Sequence, residues 1–88
     1  MLYMVIEHLK DAPAIYRRAR DEGRFLPEGL RYISSWVEPS FGRCWQLMET
    51  DDPALFEEWT LHWRDICDFE IVPVRTSAEA AAAIAPEL

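Results

Sequence analysis

The stretch Arg43-Cys44-Trp45-Gln46-Leu47-Met48-Glu49 decides the predicted fold of this chain. Side chains of a β-strand alternate between the two faces of its sheet. One face of the stretch therefore carries Trp45 and Leu47, and the other carries Cys44, Gln46 and Met48. Because one face is apolar and the other is mixed, the pattern predicts a central strand between a core and a second environment. That second environment is a partner subunit, a ligand cavity or both.

The length and composition favour one small domain that associates with a second copy. The chain has 88 residues, of which 50% are hydrophobic and four are Trp. A domain of this size buries only about 60% of the surface that its unfolded chain exposes. A dense monomeric core is the simpler interpretation. We favour a homodimer, because homodimer interfaces are more apolar than ordinary protein surface.

The charge balance argues against nucleic acid and anionic membranes as partners. Nine basic residues stand against sixteen acidic ones, for a formal net charge of −7. Both kinds of partner require a basic surface. The apolar residues 1–6 are too few for the core of a signal peptide and lead into Glu7 and His8. No run of residues is long enough to span a bilayer, so we expect a cytoplasmic protein.

The two cysteines, Cys44 and Cys67, predict neither a disulfide framework nor a metal site. Buried free thiols are the ordinary state of such residues, and a redox pair is the alternative. A nucleophilic Cys44 would need a base, and neither His8 nor His62 is clearly near it. We therefore expect no metal and no bound cofactor.

Periodicity and turn residues place the other elements. Strands are predicted over residues 2–7, 30–38, 43–49 and 69–75. Helices are predicted after the cap residue Asp11, after Asp52, and over residues 77–85 with Ser77 as cap. Pro73 lacks a ladder donor, so the last strand is predicted at a sheet edge.

The order β-α-β-β-α-β predicts an α+β fold, the ferredoxin-like sandwich. Its four-stranded antiparallel sheet has the order 4-1-3-2, and both helices cover one face. Residues 1–76 form this domain, and residues 77–88 form a C-terminal helical tail. We predict that the helices leave one face uncovered and that it is lined by Tyr3, Val5, Cys44, Gln46, Met48, Val72 and Val74. Two copies packed through this face would form a dimeric α/β barrel.

A candidate site follows from this assignment of faces. Glu7, Gln46 and Glu70 would project together onto the uncovered face. Two converging carboxylates in a partly apolar cavity repel, and burial raises the pKa of at least one of them. Glu7 and Glu70 are thus the candidate catalytic acid and base. The candidate ligand-binding residues are Tyr3, Trp36, Cys44, Gln46 and Met48.

Simpler interpretations compete with this site. Glu7 and Glu70 could instead form structural ion pairs with Arg31 or Arg43, within a subunit or across the dimer, because such pairs also perturb pKa values. An aromatic pocket for a flat ligand could be formed by Trp36, Trp45, Trp59 and Trp63. The spacing of Trp59 and Trp63 on one helix is typical of core packing, which leaves Trp36, on a strand of ambiguous facing, as the candidate for the cavity.

Several short blocks in the same order resemble the family called domain of unknown function 3303. They are Met4-Val5-Ile6-Glu7, Gly23-Arg24, Pro27-Glu28-Gly29-Leu30, Ser35-Trp36, Arg43-Cys44, Gln46-Leu47-Met48-Glu49 and Phe69-Glu70. The resemblance spans nearly the whole chain. It implies a small bacterial protein of the dimeric α/β-barrel group, which includes antibiotic-type monooxygenases, muconolactone isomerases and haem-handling proteins. The family has no assigned activity, so the resemblance carries over no catalytic residue.

Two functions remain open from the sequence. The first is binding of a small organic molecule in a cavity on the sheet face, with cofactor-free chemistry of the monooxygenase or isomerase type. The second is a non-enzymatic dimeric module that senses a ligand or serves a structural role. Haem bound through His62 has only fold-level analogy behind it and is not favoured.

Overall fold

Four strands and three α-helices make up the fold in the computed structural model, which describes residues 1–88. In chain order the elements are β1 (Leu2–Leu9), α1 (Ala12–Glu22), β2 (Arg31–Val37), β3 (Arg43–Glu49), α2 (Leu55–Thr60), β4 (Cys67–Val74) and α3 (Ser77–Ile84). A short 3-10 helix, Ala85–Glu87, follows α3. The predicted α+β class is confirmed. None of the helices has the length and apolar content needed to cross a bilayer.

The sheet is antiparallel and open, with the strand order β2-β3-β1-β4. This is the predicted order read from the opposite edge, and it is consistent with a ferredoxin-like sandwich. The strand that contains Trp45 is central, as predicted, and lies between β1 and β2. Pro73 lies on the edge strand β4, where its missing N–H interrupts no second ladder.

Local capping explains where the helices begin and end. Asp11 accepts a hydrogen bond from the backbone N–H of Ala14 at 3.1 Å, and α1 ends at Gly23, whose φ is +81°. The predicted cap of α3 is wrong by one residue. Thr76 is the cap, and it forms a reciprocal capping box with Glu79.

The predicted facing of the sheet is wrong for the two central strands. Tyr3, Val5, Cys44, Gln46 and Met48 are buried beneath the helices and do not line the uncovered face. The Tyr3 ring packs edge-on against Phe56 of α2, with 5.0 Å between ring centroids. Both faces of β1 and β3 carry apolar side chains, so alternation alone does not determine which face the helices cover. The amide of Gln46 is satisfied in the core because it donates to Met48 Sδ at 3.3 Å.

We call the uncovered side of the sheet the open face. By the register of the strands it comprises Leu2, Met4, Ile6, His8, Arg31, Ser34, Trp36, Arg43, Trp45, Leu47, Glu49, Asp68, Glu70, Val72 and Val74. Val72 and Val74 were predicted there correctly. Trp36 is 57% exposed and Val72 is 42% exposed, so large apolar side chains on this face contact solvent.

Candidate functional site

A cavity of about 440 Å³ lies between α1 and the helix-covered face of the sheet. It exists because α1 packs loosely. None of the α1 residues is fully buried, and Ile15 and Ala19 provide its contacts with the core. The helix is also attached by Arg18, whose guanidinium makes two bonds of 2.9 and 2.8 Å to the Asp65 carboxylate. The few side chains that α1 directs toward the sheet thus leave space beneath the helix.

Glu7 is the acidic group of this cavity. Its position on β1 is opposite Cys44 of β3 and Phe69 of β4, and all three line the cavity. The Glu7 carboxyl forms no hydrogen bond and no ion pair within the protein. Burial raises the pKa of Glu7 from 4.5 to about 7, although the positive charge of Arg24 opposes the shift. A carboxyl with this pKa can accept or donate a proton near neutral pH.

The two cysteines of the cavity are not suited to nucleophilic chemistry. Burial, followed by the nearby Glu7 charge, raises the pKa of Cys44 to about 12. The same two causes lead the shift of Cys67, whose pKa also rises to about 12. The thiolate is the reactive form, so both side chains stay protonated at neutral pH. The prediction of buried free thiols is confirmed.

Arg24 lies at the cavity on the connector between α1 and β2. Its backbone carbonyl accepts two hydrogen bonds, from Trp59 Nε1 at 2.9 Å and from Trp63 Nε1 at 3.2 Å. The next residue, Phe25, has the left-handed φ of +61°. The guanidinium carbon of Arg24 lies 3.8 Å from the centroid of the Tyr32 ring. The connector is therefore fixed at both its backbone and its arginine side chain.

The predicted meeting of Glu7 and Glu70 is wrong. Glu70 lies on the open face, the opposite side of the sheet from Glu7. There the carboxylate of Glu70 is 3.1 Å from His8 Nε2, and both side chains are exposed. Glu7 lies on β1 and Glu70 on the neighbouring strand β4, but their side chains project from opposite faces. The sheet therefore lies between the two carboxyl groups.

The predicted alternative, in which Arg31 or Arg43 pairs with these acids, is wrong within the single chain, and pairing across a dimer stays a prediction. Arg31 pairs with Glu49, and Arg43 pairs with Glu38. Each of these pairs joins residues of the β2–β3 hairpin. Of the cations in the chain, it is Arg24 whose positive charge lowers the pKa of the Glu7 carboxyl.

The remaining predicted ligand-binding residues divide into three groups. Cys44 and Gln46 line the cavity together with Glu7. Tyr3 and Met48 belong to the helix-covered core outside the cavity. Trp36 lies on the open face opposite Trp45.

Sequence reasoning missed Arg24 as a site residue. Its place depends on the indole groups of Trp59 and Trp63, which follow it by 35 and 39 residues. Those two tryptophans are indeed buried core residues, but they also contribute to the cavity wall. The four-residue spacing of the two tryptophans indicates a buried helix face. It does not indicate that both indole N–H groups bond to one backbone carbonyl. His62, in contrast, is exposed and stacks on Phe25 with 4.3 Å between ring centroids.

The fold and the cavity together define a small α+β domain with an acid-containing pocket under its first helix and an open sheet face. The chain belongs to the family described as Domain of unknown function (DUF3303), whose model matches residues 1–88. The resemblance seen in the sequence blocks is thereby confirmed at the level of the family. A search of curated proteins found no match, and neither did a search of solved structures. No group of three or more His, Cys, Asp or Glu side chains is arranged to hold a metal ion.

Proposed function

We propose that this protein binds a small organic molecule in the cavity under α1 and that Glu7 exchanges a proton with it. The observation that carries this proposal is a carboxyl in a largely apolar cavity, without any hydrogen-bond partner of its own. A volume of about 440 Å³ lies in the range that small-molecule sites occupy, roughly 300–1,000 Å³. The position of the site differs from the sequence-based prediction, which placed it on the open face.

The chemistry that fits this cavity is cofactor-free proton transfer. The Glu7 carboxylate would take a proton from a C–H or O–H group that a neighbouring carbonyl makes acidic. The Gln46 amide, on the same face of the sheet, donates one N–H to Met48 Sδ, and its second N–H would orient that carbonyl. Return of the proton to a different carbon completes an isomerisation. Reaction of the carbanion with dissolved dioxygen would instead begin an oxygenation, so both reaction types share this first step.

A homodimer that forms through the open face is the second part of the proposal. The apolar side chains of this face include Trp36 and Val72 on its two edge strands, and both are exposed in the single chain. Strands of seven to eight residues give roughly 500 Å² of flat sheet, before the relief of the side chains is counted. A standard interface buries about 800 Å² per partner, so the face reaches that size only with the added surface of its projecting side chains. Two sheets packed in this way would form the dimeric α/β barrel.

A cytoplasmic location stays part of this proposal.

A non-enzymatic ligand-sensing module is the alternative, and one observation favours it. The cavity holds a single group that titrates near neutral pH, because Glu70 lies on the other face and both thiols stay protonated. Many enzymes that move protons use a second acid or base. A protein that only binds its ligand needs none.

Native mass spectrometry of freshly purified protein is the experiment that tests the proposal. We expect a dimer mass and, under gentle conditions, an additional bound small molecule. The bound compound is then extracted, identified and used for calorimetric titration of the wild type, Glu7→Gln and the exposed control Glu58→Gln. Loss of affinity or turnover in Glu7→Gln alone supports the site. Unchanged affinity together with unchanged turnover would remove Glu7 from the site.

A further inference from the structure

We infer that the ligand of this cavity is an organic anion, with one negatively charged oxygen group paired to Arg24 and an apolar body of one to three rings. The inference rests on the proposed function, because it assigns a chemical class to the ligand of the same cavity. Three observations carry it: the ion-pair pattern of the whole chain, the contacts that hold Arg24 in place, and the composition of the cavity wall.

Arg24 is the cation at this cavity that has no carboxylate partner. Six of the nine Lys and Arg side chains form ion pairs, and the three that do not are Arg17, Arg24 and Arg75. Of these three, Arg24 alone lines the cavity. Sixteen acidic residues make an available carboxylate easy to find in this sequence. An unpaired guanidinium at a cavity is therefore available to a negative group that comes from outside the chain.

Contacts with neighbouring aromatic residues hold Arg24 in position before a ligand binds. Trp59 and Trp63 both donate their indole N–H to its carbonyl, and Tyr32 lies under its guanidinium plane. A group that is already ordered loses less entropy when it binds. The planar guanidinium also matches a carboxylate or a similar oxyanion through two parallel hydrogen bonds.

The charges around the cavity favour an anion over a cation. Arg20 also lines the cavity, but its guanidinium is paired with Asp21. Glu7 is the cavity's carboxyl, and burial raises its pKa to about 7, so a large fraction of it is uncharged at neutral pH. A cationic ligand would meet the full charge of Arg24 and only part of a charge on Glu7. An anion would pair with Arg24 and accept a hydrogen bond from the neutral Glu7 carboxyl.

The cavity wall accounts for the apolar body of the ligand. Ten of its fifteen residues are hydrophobic, and the aromatic rings of Trp59, Trp63 and Phe69 are among them. Flat ring systems pack well against such surfaces. The volume of about 440 Å³ holds such a body and leaves room for the charged group near Arg24.

Two fluorescent probes of nearly equal shape test the charge preference. They are 1-anilinonaphthalene-8-sulfonate, an anion, and N-phenyl-1-naphthylamine, which lacks the sulfonate. Fluorescence titrations are run on the full chain as wild type, Arg24→Gln, Arg24→Lys, Arg17→Gln and Ala19→Leu. We expect Arg24→Gln to weaken the anionic probe about tenfold and the neutral probe less than twofold, as loss of one charge-assisted pair implies. Arg24→Lys should retain most of the preference, and Arg17→Gln should change neither affinity.

The outcomes separate the charge preference from the cavity itself. Ala19→Leu fills space under α1, so it should weaken both probes if they bind in the cavity. Equal effects of Arg24→Gln on both probes, or no effect on the anionic one, would overturn the anion preference and leave the cavity in place. An Ala19→Leu variant that folds and binds both probes like the wild type would overturn the cavity site as well. Arg24 is exposed, and its bonds to the core residues Trp59 and Trp63 use its backbone carbonyl, which every substitution keeps. Circular dichroism of each variant verifies its fold.

Discussion

Glu7 makes the folded protein less stable as the pH rises toward neutrality. Burial holds its pKa near 7 in the folded chain, against 4.5 for the ordinary side chain. The folded state therefore binds this proton more tightly than the unfolded state between pH 4.5 and 7. Arg24, Cys44 and Cys67 face the carboxyl, and only Arg24 is charged in that range. The free energy of unfolding should fall through this window by up to about 1.4 kcal/mol per pH unit.

Glu7→Gln should remove this pH dependence, because the amide has nearly the same shape and carries no charge. The variant should be more stable than the wild type at pH 8, and the difference should diminish at pH 5. Urea unfolding at fixed protein concentration and at each pH from 5 to 8 measures the effect. The control Glu58→Gln removes an exposed carboxyl that forms no ion pair, so its pH profile should follow that of the wild type. Parallel profiles for Glu7→Gln and the wild type would show that Glu7 titrates normally in the folded chain.

At the scale of the elements, the sequence positions of the strands could be predicted, but the sheet face that the helices cover could not. Turn residues and short apolar runs specify where β1 and β3 begin, and the number of strands and the crossovers specify their order. Which face the helices cover depends on how the side-chain volumes pack, because both faces of these strands are apolar. Gln46 suggested a polar face, yet its amide is satisfied by Met48 Sδ inside the core. Part of the site could be predicted, because Glu7, Cys44 and Gln46 lie on the same face of the sheet whichever face the helices cover. Arg24 could not, because its position depends on hydrogen bonds from tryptophans far away in the sequence.

The start of α3 gives an element-scale prediction that distinguishes two adjacent residues. Thr76 accepts from the Glu79 N–H at 3.1 Å, while the sequence pattern had suggested Ser77 as the cap. Thr76→Ala should destabilise the helix by about 1 kcal/mol, and so speed amide exchange in residues 77–84 about fivefold. Ser77→Ala should leave that exchange rate nearly unchanged. None of the α3 residues is buried, so neither variant should shift the urea midpoint of the core. Equal exchange in both variants would contradict the cap assignment.

At the scale of the whole molecule, the chain buries little of itself. Twelve of its 88 residues are buried, and they lie on the helix-covered side of the sheet or beside it. The open face carries a comparable set of large apolar side chains without any cover. A chain that is half hydrophobic and only 88 residues long gains much of its remaining burial by association. The proposed dimer accounts for this asymmetry between the two faces.

Adjacent residues of β4 offer a matched test of that dimer. Val72 is on the open face and 42% exposed, while Ile71 is on the helix-covered face and 37% exposed. Both lie on the same edge strand, so Val72→Asp and Ile71→Asp add the same charge with a similar loss of β-propensity. If the open faces pack together, Val72→Asp buries an unpaired charge and weakens the dimer at least tenfold. Sedimentation velocity over a range of micromolar concentrations should then show monomers for Val72→Asp and dimers for Ile71→Asp. A wild type that sediments as a monomer would refute the dimer, and two dimeric variants would place the interface elsewhere.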